Sequence, residues 1–568
     1  MCGINGIVGK FANKTDILQM CMLTKHRGPD FTNTYYEPAK IALGHNRLAI
    51  LDLKPESNQP FQSPDGRYTL VFNGEIYNYI ELKSSLKDYP FSTQSDTEVL
   101  LAAFIKWGKE CLNQLNGMFS FAIWDSKDEV LFAARDRFGV KPFYYSFFKD
   151  SLVFSSEISP FFKIGISRTP NESIWAGYFV NGEYQKGKQT FWKGIYRLGP
   201  GEMLTYSRKE FKVEKWYDFI QRTTEAKANL PKDLKSYFKE LLLDSTSLRF
   251  RADVPVGFNL SGGLDSSMLL SLIQNQFPDN SSIEAFTFYT GDDRYDELPY
   301  VKQLVEDYSF PLNPVLITAD EIPELTYQES FKQQEPFGGI PTLAYSKVFQ
   351  AARSKGIKVL LDGQGADEVW AGYDYYFNAV STNIQGVKKS PYRLNVLNSE
   401  FAAIYQKTEL EEPFGERLLN LQYRDLFSTK LARALRFSDR VSMRHSTELR
   451  EPFLDYRIVE SAFCLDENLK VQDGKQKWLF REIAGEFLNK SIRLAPKRPL
   501  QTPQREWLSS DLKDWVSEEV KELENMPWFE KKELRKELQR FFEGDIDSSF
   551  HIWQWVNTSV ILKNQETT

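Results

Sequence analysis

The spacing of hydrophobic residues differs between the two ends of the chain. Up to about residue 200, apolar residues occur in short runs separated by Gly, Asp and Pro, which predicts strands joined by turns. The runs are INGIVGKF, IALGHNRLAILDL, RYTLVFNGEIYN, FSFAIWD, EVLFAARD and SLVFSSE, and RLGPGEMLTYS is predicted to close the region as a hairpin. One helical pattern, DTEVLLAAFIKWGKECLNQL, lies among them. This part of the chain is therefore predicted to be rich in β-structure.

The hydrophobic pattern changes after a polar stretch, TTEAKANLPKD, at about residues 222–232. This stretch is predicted to be a linker. Beyond it, the strand-like segments VPVGFNL, IEAFTFYT and IKVLLDG alternate with helical segments such as SSMLLSLIQNQF. Strands that alternate with helices favour a parallel sheet with crossover connections. From about residue 375 onwards, the pattern is mostly helical.

Composition narrows the class of protein. A chain of 568 residues is too long for one hydrophobic core, so we expect two or three domains. Its net charge of −6 disfavours nucleic acid and anionic membranes as partners. Four unpatterned cysteines predict no disulfide framework, and the sequence shows neither a secretory signal nor an apolar run of membrane length. We therefore expect a cytoplasmic protein.

Two loops in the second region carry candidate phosphate-binding chemistry. In VGFNLSGGLDSS, a strand ends at Leu260 and a glycine turn leads into a helix, whose first N–H groups and dipole favour an anion. The loop lacks the Lys of a Walker A motif, and it is suited to pyrophosphate. DGQGADE repeats the arrangement, so Asp265 and Asp367 are predicted to share a Mg²⁺ ion on the phosphates of ATP. The alternative for Asp367 is a helix-capping acid.

Cys2 follows Met1 directly. If Met1 is removed, one residue carries both a thiol and a free α-amine. An amine beside a thiol can act as its general base, so Cys2 is a candidate N-terminal nucleophile. The alternative is a Cys–His pair, for which the chain offers His26, His45, His445 and His551.

These motifs resemble the glutamine-dependent asparagine synthetase family over nearly the whole chain. The matching strings are colinear: MCGINGIVG, KHRGPD, RLAILDL, NGEIYN, SDTEVLLAAF, LNGMFSFAIWD, ARDRFGVKPFYY, SGGLDSS, DGQGADE, SMRHSTELREPFLD and KQKWLFRE. The resemblance implies an α+β N-terminal-nucleophile αββα sandwich over 1–212, which is a class II glutaminase. It also implies an α/β pyrophosphate-loop synthetase domain over 230–568, with a helical C-terminal part.

For the glutaminase half, the resemblance implies that Cys2 attacks the amide of glutamine. Asn73 and Gly74 would form the oxyanion hole. Arg47 would bind the α-carboxylate of glutamine, with a surface ion pair as the alternative. Glu75 and Asp96 would receive its α-ammonium group, although Asp96 in SDTE also fits a helix cap.

For the synthetase half, the resemblance implies an acyl-adenylate made from ATP and a carboxylate, which ammonia channelled from Cys2 then attacks. Lys477 would stabilise the transferring phosphoryl group, and Lys475 is the alternative if the register differs. Asp265 and Asp367 keep the metal role given above. The residues implied to bind ATP are Leu260, Ser261, Gly262, Gly263, Asp265, Ser266, Ser267, Phe288, Asp362 and Gly363.

Gln364 departs from the family pattern, which has Glu in this loop. Glutamine keeps the shape and hydrogen bonding of Glu but not its charge. The identity of the carboxylate substrate that receives the ammonia therefore stays open. Aspartate is expected, which gives asparagine; a sugar uronate or another carboxylate is the main alternative, and Glu335 is a candidate source of a nearby carboxylate. A silent scaffold and a lactam- or peptide-cyclising enzyme are weaker alternatives, because the motifs are intact. The tail FHIWQWVNTSVILK is predicted either to pack on the core or to form a homodimer contact.

Overall fold

The computed structural model describes residues 2–278, 282–306, 310–377, 391–407, 409–496, 501–544 and 548–563. Two antiparallel sheets form the N-terminal part of the chain, in the orders β10-β8-β9-β1-β3-β2 and β12-β11-β7-β6-β5-β4. Their strands are β1 (Cys2–Gly9), β2 (Phe31–Glu37), β3 (Ile41–Arg47), β4 (Phe61–Gln62), β5 (Tyr68–Ile76), β6 (Gly117–Asp125), β7 (Val130–Arg135), β8 (Tyr144–Phe148), β9 (Ser151–Ser155), β10 (Ile195–Arg197), β11 (Glu202–Tyr206) and β12 (Phe211–Lys215).

The two sheets pack face to face because their strands alternate between two cores. In β5, Val71 belongs to the core shared with Ile4 of β1, whereas Leu70 and Phe72 face the opposite side. This period of two is what a strand with both faces buried requires. A Cβ at Gly6 would lie only 2.1 Å from the ring of Phe154, so glycine allows the aromatic ring to cover β1.

Helices cover the outer faces of both sheets. Helix α1 packs on the first sheet through Ile17 and Met20, and α3 packs on the second through Val99 and Leu100. The helices of this part are α1 (Lys14–Thr24), α2 (Tyr79–Ser85), α3 (Asp96–Trp107), α4 (Ser159–Lys163) and α5 (Glu172–Asn181). The resulting αββα sandwich agrees with the expected fold class.

A five-stranded parallel sheet, ordered β15-β14-β13-β16-β17, forms the centre of the second part. The chain runs outward from β13 to one side and then returns through β16 to the other, so these two strands flank the point where the strand order reverses. Its elements are α6 (Phe219–Ala228), α7 (Leu234–Arg249), β13 (Val256–Asn259), α8 (Leu264–Gln276), β14 (Glu284–Tyr289), α9 (Leu298–Glu306), β15 (Leu312–Leu316), α10 (Ile322–Gln333), α11 (Ile340–Ser354), β16 (Val359–Leu361), α12 (Ala366–Val369) and, after an excursion, β17 (Glu448–Arg450). The parallel sheet was therefore predicted correctly.

The remaining elements are mostly helical, as expected. They are α13 (Ser399–Ala403), α14 (Arg417–Phe427), α15 (Lys430–Arg444), α16 (Tyr456–Phe463), α17 (Glu467–Lys470), β18 (Val471–Gln472), β19 (Lys475–Gln476), α18 (Trp478–Ala484), α19 (Lys490–Arg493), α20 (Gln504–Ser509), α21 (Lys513–Leu523), α22 (Lys531–Phe542) and α23 (Phe550–Lys563). Helix α23 is the predicted tail, and Trp553 and Trp555 are buried in a core of this same chain. The core alternative is therefore confirmed for this tail. Within the ranges given above, no helix has the length and apolar character needed to cross a membrane.

One detail of the sequence prediction is wrong, and the stretch predicted as a linker has a structure that the sequence pattern did not predict. The stretch at 222–232 is largely helical, because Asp218 caps α6 by accepting hydrogen bonds from the backbone N–H groups of Ile220 and Gln221. The segment RLGPGEMLTYS is not itself a hairpin, because it carries the chain from β10 in one sheet to β11 in the other. The closing hairpin is instead β11 with β12.

A buried network of ion pairs joins the two parts. Both terminal nitrogens of Arg27 bind the carboxylate of Asp439 on α15, at 2.9 and 3.1 Å. Glu157 accepts from Arg27 at 3.2 Å and pairs with Arg440 at 3.3 Å. Arg27 has no exposed surface, and the other three residues are at most 5% exposed. Buried charges of this kind depend on one another, since each alone would be an uncompensated charge in a low dielectric.

Asp439→Asn is expected to lower the free energy of unfolding by about 3 kcal/mol, because it leaves part of the Arg27 charge buried without a counter-ion. Urea unfolding of the variant and of the unmodified protein measures the difference. Lys227→Met is the control, because the Lys227–Asp466 pair is solvent-exposed and spans 3.7 Å. An equal, small effect of both variants would contradict the assigned role of the network.

Candidate active site

Cys2 and Asn73 lie together where β1 meets the second sheet. The backbone nitrogen of Cys2 donates a hydrogen bond to Asn73 Oδ1 at 3.0 Å. Asn73 is fully buried, and its Nδ2 has no hydrogen-bond partner among the described residues. The side chain therefore holds the start of β1 with its oxygen and keeps an amide donor available, as an oxyanion hole needs. A Cβ at Gly74 would lie 2.1 Å from Met118 O, so only glycine fits next to Asn73.

The protonation of Cys2 depends on its burial. Cys2 is 6% exposed, and burial raises the pKa of its thiol. A thiol of this kind needs a base beside it. His26 Nε2 pairs with Glu157, His45 Nε2 bonds to Phe72 O, and neither ring bonds to the Cys2 sulfur in the described part of the chain. The Cys–His alternative thus has no geometric support. Met1, whose removal would free the amine, lies outside the described residues.

Arg47 is the direct neighbour of Cys2 across the β1–β3 ladder. Its guanidinium group donates to three backbone carbonyls, those of Leu51, Asp52 and Lys54, and to the side chain of Asn58. These bonds occupy the donors of both terminal nitrogens. Arg47 is therefore not a surface ion pair, and it orders the loop beside Cys2. A bidentate contact with a bound carboxylate would require some of these loop bonds to exchange.

Glu75 and Asp96 form an acidic pair next to Asn73. Asp96 accepts a hydrogen bond from Ile76 N at 2.9 Å, and burial raises the pKa of its carboxyl to about 6. The helix cap predicted for Asp96 belongs instead to Ser95, whose hydroxyl accepts from Thr97 N. Burial and the carboxylates nearby, Glu448 and Asp96, raise the pKa of Glu75 well above its usual range. Such a pair can receive an ammonium group.

Glu75 also reaches the synthetase part of the chain. Its carboxylate lies 3.4 Å from Arg450 Nη2, and Arg450 is bound to Glu448 in the same strand, β17. The backbone O of Arg450 accepts from Asp362 N at 2.9 Å. One strand thus contacts the candidate glutamine site on one side and the second phosphate loop on the other.

A cleft of about 410 Å³ lies at the carboxyl ends of β13 and β16. This is the place where parallel sheets bind ligands, because the strand order reverses there. The predicted residues that line it are Leu260, Ser261, Asp265, Ser266, Phe288, Asp362, Gly363, Gln364 and Asp367. Helix α8 begins at the edge of the cleft without a side-chain cap, so its first N–H groups suit an anion.

Three of the residues implied to bind ATP do not line this cleft in the described structure. Gly262 N donates to Glu297 Oε2 at 3.3 Å. Gly263 is the N-cap of α8, and its O accepts from the buried Ser267 hydroxyl at 2.7 Å. These residues shape the loop from within, while Ser261 and Ser266 face the cleft.

Lys477 lies behind the cleft, between the two candidate metal ligands. Its Nζ is 2.7 Å from both oxygens of Asp265 and 2.6 Å from Asp367 Oδ1. Lys477 is 5% exposed, and although burial opposes it, the charges of Asp265 and Asp367 raise the pKa of its ammonium. Lys475 lies in β19, so the contacts favour Lys477 in the predicted register.

The residues present fit Mg²⁺ in their chemistry. Asp265 and Asp367 lie close together, since both carboxylates contact the ammonium of Lys477 that stands between them. No cluster of three or more His, Cys, Asp or Glu ligands occurs within the described ranges. Mg²⁺ is commonly held by one or two carboxylates together with substrate phosphates, so two aspartates suffice.

Gln364 and Glu335 lie in different surroundings. Gln364 lines the cleft, and its Oε1 accepts a long hydrogen bond from Ser438 Oγ at 3.4 Å. Glu335 instead pairs with Arg436 at 3.1 Å and accepts from Tyr144 of the N-terminal part. Glu335 therefore supports the contact between the two parts and does not supply a carboxylate to the cleft.

Four buried charged residues near the two sites were not predicted from the sequence: Arg27, Asp439, Glu448 and Arg450. Arg27, Glu448 and Arg450 fall inside motifs that carried the resemblance, KHRGPD and SMRHSTELREPFLD, and Asp439 lies three residues before the start of the second. The signal that could have indicated their role is the large number of charged residues in these two segments, which are otherwise typical of ordered structure. Their pairing joins residues far apart in sequence, which local patterns do not reveal.

Comparison with known proteins agrees with this architecture. Residues 1–217 match the glutamine amidotransferase domain family, and residues 237–563, more than half of the chain, match the asparagine synthase family. The chain belongs to the asparagine synthase family. The resemblance inferred from the motifs is thereby confirmed, as is the order of the two domains.

Relatives of the chain span nearly its full length. Asparagine synthetase [glutamine-hydrolyzing] 1 of Bacillus subtilis is 29% identical over 97% of this chain and 95% of its own. Asparagine synthetase [glutamine-hydrolyzing] 2 of the same organism is 30% identical over 88% of this chain and 71% of its own. Among solved structures, the glutamine PRPP amidotransferase of B. subtilis matches 64% of this chain and 75% of its own, with 17% identity and a TM-score of 0.30.

Asn73→Ala is expected to lower kcat for glutamine hydrolysis by about 100- to 1,000-fold, because it removes one oxyanion donor. Glutamate release under saturating glutamine measures the change. Asn113→Ala is the control, since Asn113 is exposed and its side chain bonds to the exposed Glu110. A variant of Asn73 that keeps normal kcat would exclude the oxyanion role.

The KM for glutamine is expected to rise as the pH falls through about 6, the pKa to which burial raises the Asp96 carboxyl. Below this pH the carboxyl is neutral and loses its attraction for the α-ammonium of glutamine. Initial rates of glutamate release over a series of pH values give the profile. Asp96→Asn should raise KM and flatten its pH dependence; a variant that keeps the slope would show that another group titrates.

Proposed function

We propose that this protein is a glutamine-hydrolysing asparagine synthetase, which makes asparagine from aspartate, ATP and glutamine. The observation that carries the proposal is the coexistence in one chain of two sites. Cys2, whose backbone nitrogen is hydrogen-bonded to Asn73, forms a candidate amide-hydrolysing site. The cluster of Asp265, Lys477 and Asp367 adjoins a cleft that is suited to a nucleotide. The similarity to relatives of that name, which extends over nearly the full length of both chains, supports the same assignment.

In the glutaminase half, the sulfur of Cys2 attacks the side-chain amide carbon of glutamine. The α-amine of Cys2, freed from Met1, takes the thiol proton and returns it to the leaving ammonia. Asn73 Nδ2 and the N–H of Gly74 receive the negative charge that develops on the amide oxygen. Water then hydrolyses the thioester and releases glutamate.

In the synthetase half, the side-chain carboxylate of aspartate attacks the α-phosphorus of ATP, and pyrophosphate leaves. The open N-terminus of α8 and the hydroxyls of Ser261 and Ser266 bind the phosphates. Ammonia then attacks the carbonyl carbon of the acyl-adenylate, and AMP leaves with asparagine formed. Lys477 positions Asp265 and Asp367 and supplies positive charge at the back of the cleft.

We propose Mg²⁺ as the metal of this site, held by Asp265 and Asp367. When bound, it would neutralise charge on the phosphate oxygens. Gln364 would act on the acceptor as a hydrogen-bonding group, since its amide cannot take up a proton as a carboxylate does. Small-molecule substrates and a cytoplasmic location fit this role.

The first experiment measures AMP and pyrophosphate release by the purified protein with glutamine, ATP and Mg²⁺, with and without aspartate. AMP release that depends on aspartate, with asparagine formed, is the expected result. Glutamate release without aspartate-dependent AMP would overturn asparagine as the product and favour a sugar carboxylate as the acceptor.

Lys477→Met is expected to lower AMP formation by about 100-fold or more, because a preorganised positive charge near the phosphates is lost. Glutaminase activity should stay normal, since the partners of the Lys477 ammonium in the described ranges, Asp265 and Asp367, both belong to the synthetase part. Lys475→Met is the matched control two positions earlier and should keep both activities. Equal losses in the two variants would point to a folding defect of the β18–β19 segment.

A further inference from the structure

A small cavity of about 20 Å³ lies between the two parts of the chain. One wall comes from the N-terminal part, with Tyr77, Asn116 and Met118, and the other from the synthetase part, with Arg249, Glu451 and Leu454. A space of this volume holds one water-sized molecule. Polar groups on both walls mean that such a molecule would be hydrogen-bonded.

Glu451 is the unexplained group in this cavity. It is 5% exposed, and within the described residues its carboxylate makes no side-chain cap, no other hydrogen bond and no ion pair. Glu460 on the following helix, α16, is equally buried, but its carboxylate accepts a hydrogen bond from Tyr217 at 2.9 Å. Leaving a buried acid without a partner is costly, so a carboxyl group that lines this cavity implies a hydrogen-bonding molecule inside it.

On its N-terminal side, the cavity adjoins the candidate glutamine site. Met118 pairs with Glu75 across the β5–β6 ladder. Tyr77 follows the strand that carries Asn73, and its backbone N bonds to Asn116 O. The cavity therefore begins a few residues from the place where ammonia is released in the proposed reaction.

On its other side, the cavity adjoins the second phosphate loop. Glu451 follows Arg450, whose O accepts from Asp362 N. Leu454 packs against Gly365 so closely that a Cβ there would lie 2.3 Å from a Leu454 methyl carbon. Asp362 and Gly365 both line the nucleotide cleft. The cavity thus lies between the two candidate sites, and its walls contain residues that are neighbours of each site.

We propose that the Glu451 carboxyl is a docking point for one molecule of ammonia in transit from the glutaminase site to the acyl-adenylate. This inference rests on the proposed function. The carboxyl group binds the nitrogen by a hydrogen bond and shares its proton with it: Glu451–COOH and NH₃ exchange with Glu451–COO⁻ and NH₄⁺. The proton returns to Glu451 before the nitrogen moves on, so the nucleophile leaves as neutral ammonia.

The surroundings of Glu451 support such an exchange. Burial raises the pKa of Glu451 to about 8, with Lys141 and Arg249 favouring its charged form and Asp362 and Asp136 opposing it. An ordinary carboxylic acid is too strong to take its proton back from ammonium readily. A group with a raised pKa is matched more closely to ammonia, which favours transfer in both directions.

The test compares Glu451→Gln and Glu451→Val with unmodified protein, using glutamine labelled with ¹⁵N in its amide and an excess of unlabelled ammonium chloride. The expected result is about a fivefold fall in label entering asparagine, with a matching rise in glutamate formed per asparagine. Glutamine hydrolysis alone, and asparagine synthesis from ammonium chloride alone, should stay unchanged. Glu460→Gln is the matched control, since it removes a buried carboxylate that already has a partner.

A second measurement does not depend on asparagine synthesis. Infrared difference spectra on addition of ammonium chloride should show loss of a protonated carboxyl band, and Glu451→Gln should lack that signal. Unchanged label transfer, together with no ammonium-dependent band, would overturn the proposal and leave a structural water in the cavity. Failure of unmodified protein to make asparagine from ammonium chloride would instead refute the proposed function, with the infrared signal still deciding the role of Glu451.

Discussion

The buried pairing of Arg27 with Asp439 fixes how the two catalytic halves face each other. Arg27 also donates from Nε to Cys2 O at 3.1 Å, so the same guanidinium group holds the candidate nucleophile and the synthetase helix α15. A bidentate pair between a planar fork and a carboxylate allows one relative orientation. Because both charges are buried, separating the halves would leave each charge without its counter-ion. This cost keeps the two halves in contact.

Helix α15 transmits this constraint to the nucleotide cleft. Asp439 and Arg440 bind the N-terminal part, while the adjacent Ser438 lines the cleft and donates to Gln364. Side chains on one helix cannot shift independently along its axis. The loop that carries Gln364 is therefore held in a fixed position relative to Cys2 through a short series of contacts. Strand β17 gives a second connection, from Glu75 through Arg450 to Asp362.

The sequence predicted local features well and long-range pairing poorly. The run VGFNL followed by a glycine turn predicted β13 and the cleft, because a buried strand, a turn and a helix start are all local signals. The position of Lys477 between Asp265 and Asp367 joins segments some two hundred residues apart, and only the resemblance linked them to one site. The helix α6 was missed because its polar, solvent-facing residues read as a linker. Arg27 was missed because a partner at position 439 leaves no periodic pattern.

Burial has opposite consequences for acids in structural and in functional positions. Although burial raises the pKa of Glu157, the hydrogen bond from His26 and the charges of Arg440 and Arg27 hold it well below its usual range. Asp96 and Glu451 are as deeply buried, and no cation outweighs the effect, so burial raises their pKa values to about 6 and about 8. A fold selected only for stability would pair or remove such acids, since each costs free energy. In the proposed reaction, ammonium groups are bound and released beside Cys2 and between the two sites, and these carboxyls lie at those two places.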